Sequence, residues 1–592
     1  MRLKRTIICL MLGICMLAAF VPAAAMANDE VPQGIWTDYV EDAFAGGTGT
    51  KEDPYQIASA GQLALLAKEV NSGVFGKTHS GEYFILTADI DLSEHVWVPF
   101  GYESYGNGSS QSFSGYFDGN GKKITGLYVD ERGKNRSAGL FGCVAAISNE
   151  PIIQNLTVEN GTVFAGPSTD NTEYQYGAGL LIGTITVLGG SNVEYTVVKN
   201  CTVSGKVNSS MNAGGLVGDA SYTHFENCTA DAEVEGICIS GGFVGNAFTS
   251  VLTDCTAKGK VTSQGWSTGG FAGILFCETT VDHCAAYGDV EAGNWNLGGF
   301  VGYVEEVVSI KNSIAMGDVR SNVNQNYDPK VGGFAGTMFN NVKIEKCHAA
   351  GKVTALVEGS VGGFIAIVDQ SNVEECSNNS YDSEKNPSLK AIGSGDEVTE
   401  LQIAAKDTAG VLENICQDYY YGHDMVDLPG KDATCTEGGY EAGEECKRCG
   451  HKEGFAPIGK LDHDLIDVPG KKATCTEDGY EAGKKCKNCD YTEGFAHIDA
   501  LGHKNNLIHI PAKDATKDEE GNIEYWQCSK CGKFFSDADA ANEIDEEDTV
   551  IEKLPDIPET GDTENLALWI ALLIISGVAV TGLVVKKKSF VK

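Results

Sequence analysis

Five residues, Gly214-Gly215-Leu216-Val217-Gly218, return along this chain at nearly even intervals. They recur as Gly241-Gly242-Phe243-Val244-Gly245, Gly269-Gly270-Phe271-Ala272-Gly273, Gly298-Gly299-Phe300-Val301-Gly302 and Gly332-Gly333-Phe334-Ala335-Gly336, with a weaker copy at Gly362-Gly363-Phe364-Ile365-Ala366. The starts lie 27, 28, 29, 34 and 30 residues apart. Upstream, Ala138-Gly139-Leu140-Phe141-Gly142 and Ala178-Gly179-Leu180-Leu181-Ile182-Gly183 are variant copies. Units this short cannot bury an apolar face alone, so a period of roughly 20–50 residues means stacked coils.

A Cys-bearing segment follows each copy, as in Val198-Lys199-Asn200-Cys201-Thr202-Val203 and Phe225-Glu226-Asn227-Cys228-Thr229-Ala230, with equivalents at Cys255, Cys284, Ser313, Cys347 and Cys376. A third short segment follows, such as Gly205-Lys206-Val207 and Gly259-Lys260-Val261. One coil therefore holds about three strands of alternating pattern, separated by turns rich in Gly, Asn, Ser and Asp. Stacked in parallel, such coils make a right-handed β-helix, with equivalent residues in ladders about 4.8 Å apart. The Gly pair suits a corner of positive φ, and the Leu or Phe after it should stack inward. The cysteine ladder reads as small buried thiols. Disulfides between coils are the other reading, and Ser313 argues against an obligatory pairing.

The stretch Ser59–Val70 carries a helical apolar stripe, and Tyr83–Thr87 and Phe113–Gly121 read as strands with a tight turn. A helix there would cover the open edge of the first coil. The Gly-Gly-φ-φ-Gly copies, with Phe117-Asp118-Gly119-Asn120-Gly121-Lys122-Lys123-Ile124 ahead of them, resemble the GLUG motif of bacterial surface proteins, also found beside IgA-protease metallopeptidases. The resemblance spans roughly residues 45–380. It implies a parallel β-helix at a cell surface and no particular ligand.

Both ends carry address-like patterns. Met1-Arg2-Leu3-Lys4-Arg5, an apolar run to Val21 and the small residues Ala25 and Ala27 make a secretory signal peptide over 1–27. Near the other end, Ile557, Pro558, Glu559, Thr560 and Gly561 precede an apolar run over 566–585 and three lysines, long enough to span a bilayer with a cytoplasmic basic end. This resembles the sorting signal of Gram-positive wall proteins. The resemblance implies that a sortase cuts between Thr560 and Gly561 and links the chain to peptidoglycan. Ile557 stands where that family usually has Leu, which bears on the sortase class. Net charge is −38, which repels nucleic acid and anionic lipid. Hydrophobic content of 42% with 73 glycines fits a folded β-rich body rather than a disordered one.

A second repeat, of period 40, begins near His423. His423, Cys435, Cys446 and Cys449 return as His463, Cys475, Cys486 and Cys489. A third copy opens at His503, carries Cys528-x-x-Cys531, and has Lys517 where the first Cys would stand. A Cys-x-x-Cys knuckle with one more Cys and a His offers four soft ligands at zinc-like spacing. A unit of this size with few large apolar residues needs a staple. Structural zinc in repeats 1 and 2 is the expectation, with a disulfide plus a spare thiol as the alternative. The histidine is open between His423 and His463 in the first repeat, and between His463 and His503 in the second. The third repeat, short of a ligand, is expected to be metal-free or weakly bound. The repeats resemble small Cys-containing repeats of Gram-positive gut-type surface proteins, which implies a spacer or stalk.

The expected fold class is thus mostly β. Signal peptide 1–27 precedes a cap and first coils at 28–130, β-helix repeats at 131–395 and a helical linker at 396–420. Small Cys-rich β repeats follow at 421–460, 461–502 and 503–553, then a sorting signal at 554–592 with a transmembrane helix. No His-Glu-x-x-His or phosphate loop occurs, and no Gly-x-Ser-x-Gly nucleophile elbow is visible, since the one such string, Gly265-Trp266-Ser267-Thr268-Gly269, lies inside the β repeats with no helical pattern after it. Asp118 and the Asp282-His283 pair read as turn or surface residues. Two functions follow. One is a wall-anchored adhesin or binding module, with a host or community glycan or a matrix protein as partner. The other is a wall-anchored carbohydrate-active β-helix enzyme, a lyase or hydrolase.

Overall fold

The computed structural model describes residues 31–555, apart from 73–77, 103–110, 135, 147–150, 167–175, 188–194, 211, 294, 323–327, 369–372 and 395–401. The expected signal peptide with Ala25 and Ala27, the expected sorting motif Ile557–Gly561 and the apolar run 566–585 lie outside the described residues. Among the described residues no helix is long and apolar enough to cross a membrane. The chain forms two units, one of Met1–Pro429 with Gly443–Phe455, the other of Gly430–Ala442 with Ala456–Lys592.

In the first unit four parallel sheets of 11, 16, 7 and 9 strands run side by side. One coil shows how the sequence makes them. Thr223–Glu226, Thr229–Gly236, Ile239–Gly241 and Val244–Phe248 are its strands, one in each sheet. The Gly-Gly copies stack in strict register, Gly214 on Gly241, Gly269, Gly298, Gly332 and Gly362 in turn. The variant copies join the same ladders, with Ala138 against Ala178, Ala178 against Ala213, and Ile182 between Phe141 and Val217. This is a parallel β-helix. It has four sheets rather than three because each Gly-Gly copy is itself a corner. Its first Gly ends one strand, and the residue after the inward aromatic begins the next.

The aromatic at that corner forms the spine of the core. Phe243, Phe271, Phe300, Phe334 and Phe364 are fully buried and stack at centroid separations of 5.0, 4.8, 4.9 and 4.9 Å. The separation is that of neighbouring strands, so each ring is held by the next at the spacing the backbone hydrogen bonds dictate. Beside them Cys201, Cys228, Cys255, Cys284 and Cys347 form a ladder of buried free thiols. Cys376, also buried and free, falls outside the expected position: it pairs with Ile344, and Asn379 follows Cys347 in the ladder. In the five ladder thiols Sγ meets the carbonyl two residues back at 3.2–3.4 Å. Ser313 Oγ does the same to Lys311 at 2.6 Å. Burial holds the Cys347 thiol far above its ordinary range, and full burial with sulfurs turned to their own coil's carbonyls makes the ladder one of packing.

The expected positive φ is absent from the repeat glycines and falls instead on the residue before each position of the ladder that holds Cys201 to Cys347, Ser313 and Asn379: Asn200 at 52°, Asn227 at 52°, Asp254 at 53°, His283 at 55°, Asn312 at 46°, Lys346 at 53° and Asn378 at 56°. Asn and Asp tolerate that left-handed corner, and the carboxamides of Asn155, Asn200 and Asn227 chain across coils at 3.0 and 2.9 Å. A lysine there carries the left-handed cost of about 1 kcal/mol or more. Lys346→Asn is therefore expected to stabilise the β-helix by about 1 kcal/mol, read as a raised Tm; a lowered Tm would contradict this account of the corner.

One helix packs into the core at the start of the β-helix, and a second lies across the outer face of several of its coils. Ala60–Asn71 is capped by Ser59, whose Oγ accepts from Gln62 N at 3.2 Å. It buries Leu63, Leu66 and Val70 in the core that holds Ile57 and Phe84. Within the segment 396–420, Ile403–Lys406 is a strand pairing with Asn379–Asp382, and Thr408–Asp418 is a helix capped by Asp407. That second helix and the residue after it set Val411, Ile415 and Tyr419 against Ala285, Ile314 and Ala350. The chain then leaves as short antiparallel hairpins, Met425–Leu428 against Gly443–Cys446 in the first unit and Leu465–Val468 against Gly483–Cys486 in the second.

Candidate metal centres

Each hairpin ends in a tight knuckle that turns the sulfurs of its Cys-x-x-Cys to one side. In the first, Gly450 N donates to Cys446 O at 2.9 Å and Cys446 N to His451 O at 2.8 Å. The same bonds recur as Cys486 N to Tyr491 O at 2.9 Å, and as Gly532 N to Cys528 O and Cys528 N to Lys533 O, both at 2.8 Å. The histidine lies just ahead of the first strand of its hairpin, with its ring stacked on an aromatic beyond the knuckle. His423 lies on His451 at 4.4 Å, His463 on Tyr491 at 4.0 Å and His503 against Phe535 at 4.8 Å. Those stacks fix the imidazoles with Nδ1 facing Sγ of Cys449, Cys489 and Cys531 at 3.2, 3.3 and 3.5 Å.

The fourth member of each set comes from earlier in the chain. Three sets could each hold a metal ion: Cys416, His423, Cys446 and Cys449; Cys435, His463, Cys486 and Cys489; Cys475, His503, Cys528 and Cys531. The first lies within the first unit and the other two within the second. All the histidines and cysteines expected from the sequence are used, but in a different grouping. Cys435 does not join His423, Cys446 and Cys449, and Cys475 does not join its own knuckle. Each is passed forward, which also resolves the histidine: His423, His463 and His503 each belong to the knuckle that follows them. The third set is complete, because its missing cysteine is supplied by Cys475 and the position of Lys517 belongs to no set. Cys416, at the end of the helix Thr408–Asp418, was not expected as a ligand.

The geometry fits a tetrahedral ion. Sγ of Cys416 and Cys446 lie 3.9 Å apart, and those of Cys435 and Cys486, and of Cys475 and Cys528, 3.8 Å. Metal–sulfur bonds of about 2.3 Å set tetrahedral sulfurs about 3.8 Å apart, whereas a disulfide needs about 2.05 Å. One thiol in each set is held low. At Cys486 the Asn488 N–H donates to sulfur at 3.4 Å, outweighing burial, and with the His463 imidazole it brings the thiol down to about 6. Burial opposes ionisation of Cys446 and Cys528. It is overcome by the N–H groups of Cys449 and Arg448 in one and by His503 and the Lys530 N–H in the other, giving about 5 and about 6. A thiolate is what a soft cation takes.

The other residues singled out are structural. Asp118 accepts from Asn120 N, Gln154 and Asn155. His283 pairs with Asp254 and meets the Tyr419 carbonyl at 2.6 Å. A groove of about 230 Å³ on one β-helix face is lined in part by Lys206, Asn208, Glu233, Glu235 and Lys260. Its carboxylates are engaged by neighbouring coils, Glu233 by Lys206 at 3.4 Å and Glu235 by Asn208 at 2.8 Å.

Residues 238–262, in the β-helix, match the family model described as the GLUG motif. Over 209 residues, 34% of this chain, the sequence is 31% identical to "Halomucin" of Haloquadratum walsbyi. Over 141 residues, 22% of this chain, it is 32% identical to a "Putative Gly-rich membrane protein" of Evansella cellulosilytica. The chain spans 2% and 14% of the length of these relatives. Among solved structures it is similar to the "Crystal structure of a putative immunoglobulin A1 protease from Bacteroides ovatus", at 20% identity and a TM-score of 0.38, over 52% of this chain and 87% of that one.

Proposed function

We propose that this chain is a binding scaffold displayed on the cell envelope: a β-helix carried on short modules that hold three structural zinc ions, and joined to peptidoglycan through Thr560. The observation that carries the zinc reading is the threefold recurrence of a Cys3His set with sulfurs at tetrahedral separation. Three thiolates and an imidazole are the donor set of closed structural zinc sites. Display is supported by the patterns at the two ends and by relatives whose names place them in mucin-like or membrane settings. A scaffold is favoured over an enzyme because Glu233 and Glu235 in the groove are held by Lys206 and Asn208 of the neighbouring coil, whereas glycan cleavage uses two carboxyl groups facing one another across the scissile bond.

Elemental analysis of the purified chain should give three zinc per molecule, and one or none would sink the zinc reading. In the cell, Thr560→Ala is expected to move the chain out of the peptidoglycan-linked fraction; unchanged linkage would overturn sortase anchoring at this residue. A glycan and matrix-protein array with product analysis tests the ligand class, and cleaved glycan would replace the scaffold by the enzyme.

A further inference from the structure

In every set three ligands, a histidine and a Cys-x-x-Cys, belong to one hairpin, and the remaining cysteine lies outside it. Cys435 precedes His463 by 28 residues, as Cys475 precedes His503. The loop that carries this cysteine is built the same way each time. Thr434 N and Thr474 N bond Glu437 O and Glu477 O at 2.8 and 3.0 Å. Lys431–Glu437 and Lys471–Glu477 ion pairs of 2.8 Å cross the loops. Leu461 N and Leu501 N, two residues ahead of the next histidine, donate to Thr434 O and Thr474 O at 3.0 and 2.9 Å. Each exported cysteine is thus tied by backbone to the start of the hairpin it serves. The loop around Lys517 keeps the frame, with Thr516 N to Glu519 O at 2.9 Å and Lys513–Glu519 at 2.7 Å. The residue 28 places past Lys517 is Asp545 rather than a histidine, so Lys517 stands where the export meets no receiving histidine.

The first set begins differently. Cys416 sits on the helix whose other face is packed on the β-helix through Val411 and Ile415, and it precedes His423 by 7 residues.

We infer that each ion is a staple between successive segments, so that no hairpin completes a site alone and the β-helix's own terminal helix is the first member of the series. This rests on the zinc reading above. A hairpin with its own three ligands has an open position; the closed site exists only with its upstream neighbour. Zinc loading then governs the joints: the first ion fixes the hairpin Gly443–Cys446 to the helix Thr408–Asp418, and the others fix each later hairpin to the loop before it.

The test uses the full chain with zinc counted by elemental analysis and amide exchange followed by segment. Cys435→Ser is expected to lower zinc from three to two and to speed exchange in 483–493, leaving 443–455 protected. Cys416→Ser is expected to do the converse. Cys435→His, which restores a soft donor, should return the third ion, separating lost ligation from misfolding. Loss of protection at 443–455 in Cys435→Ser, or three ions retained by either serine variant, overturns the staple while leaving zinc binding intact. A wild-type chain without zinc overturns both.

Discussion

Stripping zinc with a strong chelator is expected to unfold residues 456–502 first, with 503–555 more resistant and the β-helix untouched. The order follows from what each segment buries. Among the side chains of 456–502, those classed as buried are Cys475 and Cys486, at 7% and 2% exposure. There is no apolar core among them to keep the hairpin closed, so on the zinc reading the ion supplies the free energy of folding, roughly 10–16 kcal/mol for structural zinc in small domains. The next segment adds Phe535, with Leu507, Trp526 and Ala540 packed against Cys528 and Cys475, and should keep part of its protection. The β-helix has its aromatic spine and thiols that cross-link nothing. Amide exchange with and without chelator reads all three segments at once. Equal protection of 456–502 in both conditions would remove the metal from the account of how these modules fold.

Gly242→Ala should damage the β-helix far more than a methyl added at an open turn glycine. A Cβ at Gly242 would lie 2.1 Å from the carbonyl oxygen of Gly270 in the next coil. The same meeting recurs from Gly215 to Gly242, Gly270 to Gly299, Gly299 to Gly333 and Gly333 to Gly363, at 2.1–2.2 Å. The obstacle is backbone held in two sheets, so it cannot rotate aside, and the coils must part. A cost of at least about 3 kcal/mol is expected, at or beyond the usual range of overpacking. Gly133→Ala is the control. Its φ is 74° and nothing lies within 4 Å of the new carbon, so it carries only the left-handed penalty of about 1–2 kcal/mol. Thermal melts of the two variants that coincide would refute steric contact as the reason for glycine.

That contact also marks how far the sequence could be read. The period, the stacking and the inward Leu or Phe were legible, because every coil repeats the same requirement and a ladder of like residues leaves its trace in the text. The role of the glycines was not. Close approach of a neighbouring carbonyl and a positive φ demand the same residue, and only the coil-to-coil distances separate them. The left-handed corner did leave a trace, in the Asn or Asp before Cys201, Cys228 and Cys255. In the metal segment the ligand types and the histidines were legible and their grouping was not, since a repeat in sequence invites sites confined to one repeat. The overlooked signal was a matching of numbers. Three knuckles face three outlying cysteines, Cys416, Cys435 and Cys475, if each is paired with the knuckle after it. Cys416 hid because it sits at the end of a helix, outside the repeat.

The forward offset of one cysteine bears on how such a chain can change length. Copying or deleting one 40-residue repeat within 423–502 adds or removes one whole donor set, wherever the break falls, because the incoming and outgoing cysteines are equivalent. Unequal recombination can then lengthen or shorten the segment without stranding a half-built site. Lys517, downstream of that segment, keeps its place whatever the number of copies.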